Sequence, residues 1–234
     1  TKEYKERVFN QFLDDHQKGF TPNPDVLCNK EIKFDVFQKY ANEIGANKIA
    51  SGHYAKIVKA DEKFFICKAI DSSKDQSYFL YQLSSQILES VEFPLGDILK
   101  KDIRKIAQEN NLINATKKDS TGICFIGDRK YNNFVSQFLK SNKGKIITVD
   151  GDEIGNHNGH MYFTVGQRKG LGIGARKSAF DKPWYVVNKD IDNNIVYVAQ
   201  GSDHPALFSD ELIADNMYWN LDIQKNIPFK CNAK

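Results

Sequence analysis

Two short segments bring together residues able to do sulfur chemistry. The first is Thr21-Pro22-Asn23-Pro24-Asp25-Val26-Leu27-Cys28-Asn29. Two prolines two residues apart predict a stiff, extended loop that ends where a helix through Phe34 begins. A thiol placed just before a helix N-terminus is pushed toward thiolate by the helix dipole. Asp25, three residues earlier, is either an acid/base beside that thiol or a plain helix cap. Taken alone, Cys28 reads sooner as a small buried residue beside such a cap. The second segment holds Cys124 between Gly122 and Gly127, after Lys117-Lys118-Asp119-Ser120-Thr121. Small neighbours leave room for a second sulfur, and the lysines favour a thiolate. Taken alone, this too reads as a core cysteine in an apolar strand. Cys67 sits in Phe64-Phe65-Ile66-Cys67 and belongs to the core, while Cys231 has too little context for a role.

Two further stretches are polar in a patterned way. Thr164 to Lys177 combines four glycines with Arg168, Lys169, Arg176 and Lys177, a composition suited either to phosphate or to a loose hairpin loop. It is not a dinucleotide fingerprint, because its glycines follow a β run with no helix to receive a phosphate. Lys74-Asp75-Gln76-Ser77 reads as a polar helix start.

The elements that must position these residues fall into two grammars. In the first half helices alternate with short strands. Val8, Phe9, Phe12 and Leu13 recur at helical spacing, with Gly19 as a stop; Phe34, Phe37, Tyr40, Ala41 and Ile44 form an apolar stripe closed by Gly45. Lys48 to Tyr54 then reads as a strand ending in a small-residue turn at Gly52. This is the pattern of an open α/β sheet, in which ligands sit beyond the carboxyl ends of strands. A hairpin follows, with Ile57-Val58 and Phe64 to Cys67 on either side of Ala60-Asp61-Glu62. An amphipathic helix around Ile103, Ile106 and Ala107 precedes the strand-like Thr121 to Gly127, and another helix is expected at about 130–141. From Lys145 on, short β runs take over: 146–149, 161–165, 184–187 and 195–198. Asp150-Gly151-Asp152 and Asp192-Asn193-Asn194 connect them, which predicts a small β domain. Leu212 to Lys234 reads as strands of a further unit.

Composition narrows the function classes. The 234 residues are 41% hydrophobic and 27% charged, enough for real cores and far from disordered or collagen-like compositions. No apolar run reaches the roughly 18–20 residues that span a bilayer, and the first residues lack a signal-peptide pattern, so a soluble, cytoplasmic protein is expected. Four scattered cysteines without a Cys-x-x-Cys pair argue against a disulfide scaffold or a structural zinc, and no metal site is expected. Net charge is only +3, yet residues 98–149 hold 11 Lys and Arg against 4 Asp and Glu. That block suits either a phosphate backbone or a solvated face.

Taken together in their order, the motifs closely resemble the bacterial tRNA-specific 2-thiouridylases. The resemblance rests on Thr21 to Phe34, Ser51-Gly52-His53-Tyr54-Ala55, Lys74 to Leu80, Asp119 to Gly127, and Gly166-Gln167-Arg168-Lys169-Gly170-Leu171-Gly172-Ile173-Gly174. It implies an open parallel-sheet α/β domain of the nucleotide α-hydrolase (PP-loop) type over 1–128, incomplete. A central β-rich tRNA-binding domain over 129–204 and the start of a β-barrel over 205–234 would follow. It also implies a reaction in which ATP, with Mg2+, adenylates the C2 oxygen of the wobble uridine and a cysteine persulfide then delivers sulfur. By position Cys124 would carry the persulfide and Cys28 would attack it, leaving a Cys28–Cys124 disulfide or a released sulfide. Asp25 would serve as acid/base; Asn23, Pro24 and Asp25 would surround the target base; Gly52 would contact ATP; His53, Lys74, Asp75 and Gln76 would touch tRNA. The expected partners are tRNAs for Lys, Glu and Gln and a sulfur donor such as a cysteine desulfurase or sulfur-relay protein, with no membrane involved.

The family's Ser-Gly-Gly-x-Asp-Ser phosphate loop and most of its C-terminal barrel do not occur in these 234 residues. The chain by itself is therefore expected not to form the adenylate. A non-catalytic tRNA-binding module that has lost its ATP site is the alternative reading, in which both cysteines would be replaceable. A thiol redox protein using Cys28 and Cys124 is disfavoured by their distance in sequence and the missing Cys-x-x-Cys.

Overall fold

A computed structural model describes residues 1–118, 123, 126, 131–140, 142–173, 182–220 and 228–232. It divides into two compact units. The first comprises Thr1–Val8, Pro24–Thr121 and Asp215–Lys234; the second comprises Phe9–Asn23 and Gly122–Ala214.

Helix α1 (2–17) contributes residues to both units and is π-helical over Lys5–Phe9. It ends at Gly19, whose φ of +78° allows Gly19 N–H to bond His16 O and Phe20 N–H to bond Asp15 O, the paired closure of a Schellman cap. Helix α2 (24–43), with a π-helical stretch over Cys28–Val36, ends the same way at Gly45. Both glycine stops anticipated above are therefore real.

In the first unit, strand β1 (Ile49–Ala50) lies parallel to β4 (Val91–Glu92), the part of an open α/β sheet that these residues supply. Between them in sequence, β2 (Ala55–Ala60) and β3 (Lys63–Lys68) form the expected hairpin, turned through Asp61 and Glu62 with positive φ as a two-residue primed turn requires. Helices α3 (Ser85–Leu88) and α4 (Lys100–Glu109) complete the unit. Its core is Phe34, Ala41, Ile49, Ala55, Leu80, Leu83, Leu88, Val91 and Phe93. The apolar stripe on α2 is only half used: Phe34 and Ala41 are buried, while Phe37, Tyr40 and Ile44 are 53%, 57% and 68% exposed.

In the second unit, α5 (Tyr131–Val135) packs Phe134 and Val135 with Phe12, Ile126 and Leu139. Strands β5 (Gly144–Thr148), β6 (Glu153–His157), β7 (Trp184–Asp190) and β8 (Ile195–Gln200) form one sheet in the order β6-β5-β8-β7. The central β5/β8 pair is parallel and both outer pairs are antiparallel. Ile146, Val186, Val196 and Val198 fill its core with Phe163 and Leu171.

Three expectations are corrected. Residues 161–165 are not a strand: His160–Tyr162 forms a 3₁₀ turn that follows Gly159 at φ +146°, a backbone shape that strand pairing does not use. The apolar residues 212–213 stand in solvent, 88% and 96% exposed, and no described residue from 212 on is in a strand, because none finds a pairing partner. The helix at 130–141 is shorter than expected, with turns after Val135. The segment 121–127 lies mostly outside the described residues; its Ile126 N–H donates to Ile123 O, which is turn geometry.

Candidate active site

The helix that carries Cys28 begins earlier than the proline pattern implied. Pro24 is its first residue, where a fixed φ is already helical and the missing N–H has no helical partner to lose. Asp25 therefore occupies the first turn, where the dipole favours a carboxylate, and Cys28 lies one turn further in, at i+3 on the same side. This corrects the placement of Cys28 ahead of the helix, and the dipole's hold on it is weaker than expected. Cys28 is half-buried. Asn23 is exposed and belongs to the second unit, while Pro24 is buried in the first.

Burial raises the Asp25 carboxyl above the ordinary range, and the Lys33 ammonium opposes this. Burial thus favours the protonated form more than in an exposed aspartate, which suits a carboxyl that gives and takes a proton. The same lysine reaches His53, with Nζ 3.5 Å from Nε2. On its other side His53 Nδ1 lies 2.7 Å from Ser51 Oγ. An ammonium can only donate, so Nε2 accepts and Nδ1 carries the proton toward Ser51. Phe34 and Phe93 wall the imidazole, each with its ring centre 5.9 Å away. Burial first, and Lys33 second, bring the His53 pKa down to about 4, so the ring is neutral at physiological pH.

Ser51, Gly52 and His53 follow β1 directly, at the strand's carboxyl end, where an open α/β sheet presents its ligand crevice. A Cβ built on Gly52 would reach only Leu95 Cδ1, at 3.9 Å. The glycine is not needed to fit the protein to itself; its open face suits close approach by a flat ligand such as a nucleotide.

Lys74, Asp75 and Gln76 differ in what they do. Only Lys74 is exposed. Buried Asp75 accepts from Ala69 N–H (3.1 Å), Ser77 N–H (3.3 Å) and Ser77 Oγ (2.9 Å). Gln76 pairs with Tyr54 twice: its Oε1 accepts Tyr54 N–H at 2.9 Å, and its N–H donates to Tyr54 O at 2.8 Å. The stretch is not a helix start; it leads into a 3₁₀ turn, Ser77–Phe79, pinned beside the loop that carries His53.

Asn29 is a residue the sequence reading passed over. It is 2% exposed, and its Nδ2 donates to Phe79 O at 3.1 Å, tying that turn to α2. A polar residue directly after Cys28 on a helix face was the available signal. Cys124 and its neighbours 119–122, 125 and 127 lie outside the described residues, as do Gly174, Arg176 and Lys177. Of the glycine-rich stretch, 164–173 is orderly: Gln167 Oε1 accepts Thr164 N–H, its Nε2 donates to Lys169 O, and Gly166 N–H donates to Val186 O. Arg168 and Lys169 project from it into solvent. Among the described residues no three His, Cys, Asp or Glu side chains converge as a metal cage would, and no helix is long and apolar enough to cross a membrane.

Comparison with known proteins places these features in context. Residues 1–128 match the tRNA methyl transferase HUP domain family, and residues 132–200 match the tRNA methyl transferase PRC-barrel domain family. The chain is 52% identical over 232 residues to the tRNA-specific 2-thiouridylase MnmA of Hahella chejuensis, covering 99% of this chain and 64% of that relative. It is 52% identical over 234 residues to tRNA-specific 2-thiouridylase MnmA 1 of Geobacillus kaustophilus, covering 100% and 62%. Against the tRNA-specific 2-thiouridylase MnmA of Klebsiella pneumoniae it is 54% identical over 218 residues, covering 93% and 59%. The chain thus spans just under two thirds of the length of these relatives.

Proposed function

The chain belongs to the family of tRNA-specific 2-thiouridylases, and from that premise we propose that the enzyme built on it replaces the C2 oxygen of a wobble uridine by sulfur. The observation that carries the reading is the cluster at the end of β1, where Asp25 on α2, one turn before Cys28, shares Lys33 with His53. ATP, with Mg2+ as its counter-ion, would supply the activation that turns the C2 oxygen into a leaving group, and Gly52 would meet the nucleotide.

Asn23, Pro24 and Asp25 hold the target base. Asp25, its pKa raised by burial, takes the N3 proton or returns it as the C2 centre changes. Cys124 carries the sulfur to be delivered as a persulfide. Its terminal sulfur bonds to C2 and the activated oxygen departs. The Cys28 thiolate attacks the Cys124 sulfur, breaking the old S–S bond and leaving a Cys28–Cys124 disulfide. Two electrons from a thiol reductant then restore both cysteines. If Cys28 attacks first, hydrosulfide is released and adds to C2, with the same balance. His53 stays neutral throughout, and with Lys74 it faces the tRNA. Asp75 and Gln76 act by holding Lys74 and Tyr54 in place.

The substrates are tRNAs for Lys, Glu and Gln, and the sulfur comes from a cysteine desulfurase or a sulfur-relay protein, in the cytoplasm. Residues 1–128 form the nucleotide-binding domain, 129–204 the central tRNA-binding domain, and 205–234 the start of a barrel. The test is nucleoside mass spectrometry of tRNA incubated with the full-length protein, ATP and a persulfide donor. 2-Thiouridine should appear only with ATP present; its absence under those conditions refutes the reading.

A further inference from the structure

In the second unit, one inward-turned lysine spends its charge on backbone. Lys189, on β7, is half-buried, and its Nζ donates to Gly19 O at 2.5 Å and to Phe163 O at 3.0 Å. Among the described residues no carboxylate comes within ion-pair distance of it. The adjacent Asp190 carboxylate is taken up by Asn193, accepting its N–H and its Nδ2 at 2.9 Å each. Burial without a counter-ion holds the ammonium's pKa below the usual lysine range. An apolar side chain of similar length would fill the space without that cost. What the ammonium adds is a bridge, charge-assisted bonds to two carbonyls that lie 170 and 26 positions away in sequence.

The place it bridges is the approach to the reacting base. Gly19 closes α1, so its carbonyl stands at the negative end of the helix, where a cation is favoured. The turn is pressed onto the end of β7: φ at Gly19 is +78°, and a Cβ there would stand 2.3 Å from Ile191 Cδ1. Two residues on, Thr21 Oγ1 lies 3.1 Å from Thr164 Oγ1. The turn holding Thr164 is itself fixed to β7 by Gly166 N–H, which donates to Val186 O at 2.7 Å. His16, three residues before Gly19, is buried and hydrogen-bonded through Nε2 to Tyr131 OH. Burial first, and Lys189 second, bring its pKa down to about 4, so the ring adds no second charge beside the ammonium at neutral pH. After Thr21 come Pro22, Asn23 and Pro24, and two fixed φ angles leave that short run few ways to move once Gly19 and Thr21 are held.

We propose that Lys189 is a positioning residue for the thiolation site: by tying Gly19 to Phe163 it fixes the 19–23 loop and so sets where Asn23 stands against the target base. The proposal rests on the reading of Asn23 given above and adds to it a residue of the β sheet that touches neither base nor ATP. Loss of the bridge leaves the sheet in place and lets the loop drift, which acts on the chemical step more than on binding.

The test compares wild type, Lys189→Met and Ile146→Val in the full-length enzyme, with tRNA, ATP and a persulfide donor. Lys189→Met should lower kcat by roughly ten- to a hundredfold while KM for tRNA stays within about twofold. By hydrogen exchange, the amides of Phe20, Thr21 and Asn23 should open faster in that variant, with those of β5 and β8 unchanged. Ile146→Val trims the core of the same sheet on β5, two strands from β7, and should lower the urea midpoint while the folded enzyme keeps the wild-type kcat. Thr21→Val, at an exposed position, loosens the same loop without unpairing a buried group. It should lower kcat in the same direction and add little when combined with Lys189→Met. A Lys189→Met enzyme with wild-type kcat, or with unchanged exchange at 20–23, overturns the proposal, as does an equal loss of kcat in Ile146→Val. Should Lys189→Met not fold, wild-type kcat and unchanged exchange in Thr21→Val overturn it. If the wild-type enzyme makes no 2-thiouridine, the thiolation reading and the positioning role fall together, whereas a silent Lys189→Met removes only the latter.

Discussion

Replacing Lys33 by methionine should raise the pKa of His53 from about 4 toward 5. Lys33 Nζ lies 3.5 Å from Nε2, and a unit charge at that distance is worth about 1.2 kcal/mol even with the screening of bulk water. That is roughly 0.9 of a pKa unit, a lower bound. The upper bound comes from the order of causes: His53 is lowered from 6.5 to about 4, with burial the larger contributor and Lys33 the smaller. Lys33 therefore accounts for less than half of the drop, roughly 1.2 units. The two bounds bracket one unit. Because the folded pKa is depressed, the unfolded chain binds more protons between pH 6.5 and 4, so stability is lost as pH falls through that window. Raising the folded value by one unit returns about 1.4 kcal/mol below pH 4. The assay is NMR titration of the imidazole carbons in wild type and Lys33→Met, with urea unfolding at pH 7 and pH 4. A wild-type His53 that titrates near 6.5, or a variant whose value stays put or falls, would refute the placement of the ring between burial and the Lys33 ammonium. Asp25 should move the same way, since Lys33 also holds its pKa down.

Other consequences can be checked in parallel. In the full-length enzyme, Cys28→Ser and Cys124→Ser should each abolish thiolation while leaving tRNA affinity within about twofold, measured by product mass and filter binding; a variant that thiolates at the wild-type rate removes that cysteine from the mechanism. Asp75→Ala strands three donors at a buried position and should cost about 3 kcal/mol in urea unfolding. Asp75→Asn should recover part of the stability and of the tRNA affinity, which a direct contact through the carboxylate would not allow. Phe34→Ala, at the centre of the first unit's core, should cost about 3–5 kcal/mol.

What the sequence made legible was local. Gly19 and Gly45 stop helices because the required backbone shape is written in one residue, and the hairpin through Asp61 and Glu62 follows from alternation and spacing. Local reading also misled. Pro22 and Pro24 read locally as extended chain, although a proline at the first helical position is equally compatible with its fixed φ, and Cys28 consequently lies a full turn inside the helix. Periodicity marked Phe37, Tyr40 and Ile44 as core, but period alone reports amphipathicity and not what covers the face. The site itself was legible as residue types and became a site only through long-range contacts. Lys33 meets His53 across 20 positions, and Asn29 meets Phe79 across 50, distances over which no spacing rule operates. The division of labour in Lys74-Asp75-Gln76 was hidden for the same reason: one side chain faces solvent and two face the protein.

The most direct test of the central claim is complementation in a host that lacks its own 2-thiouridylase. The full-length gene is expressed there and the tRNA nucleosides are measured by mass spectrometry. 2-Thiouridine derivatives should return with the wild-type gene and not with the Cys28→Ser variant. A host that remains without 2-thiouridine while making the folded wild-type protein would contradict the account.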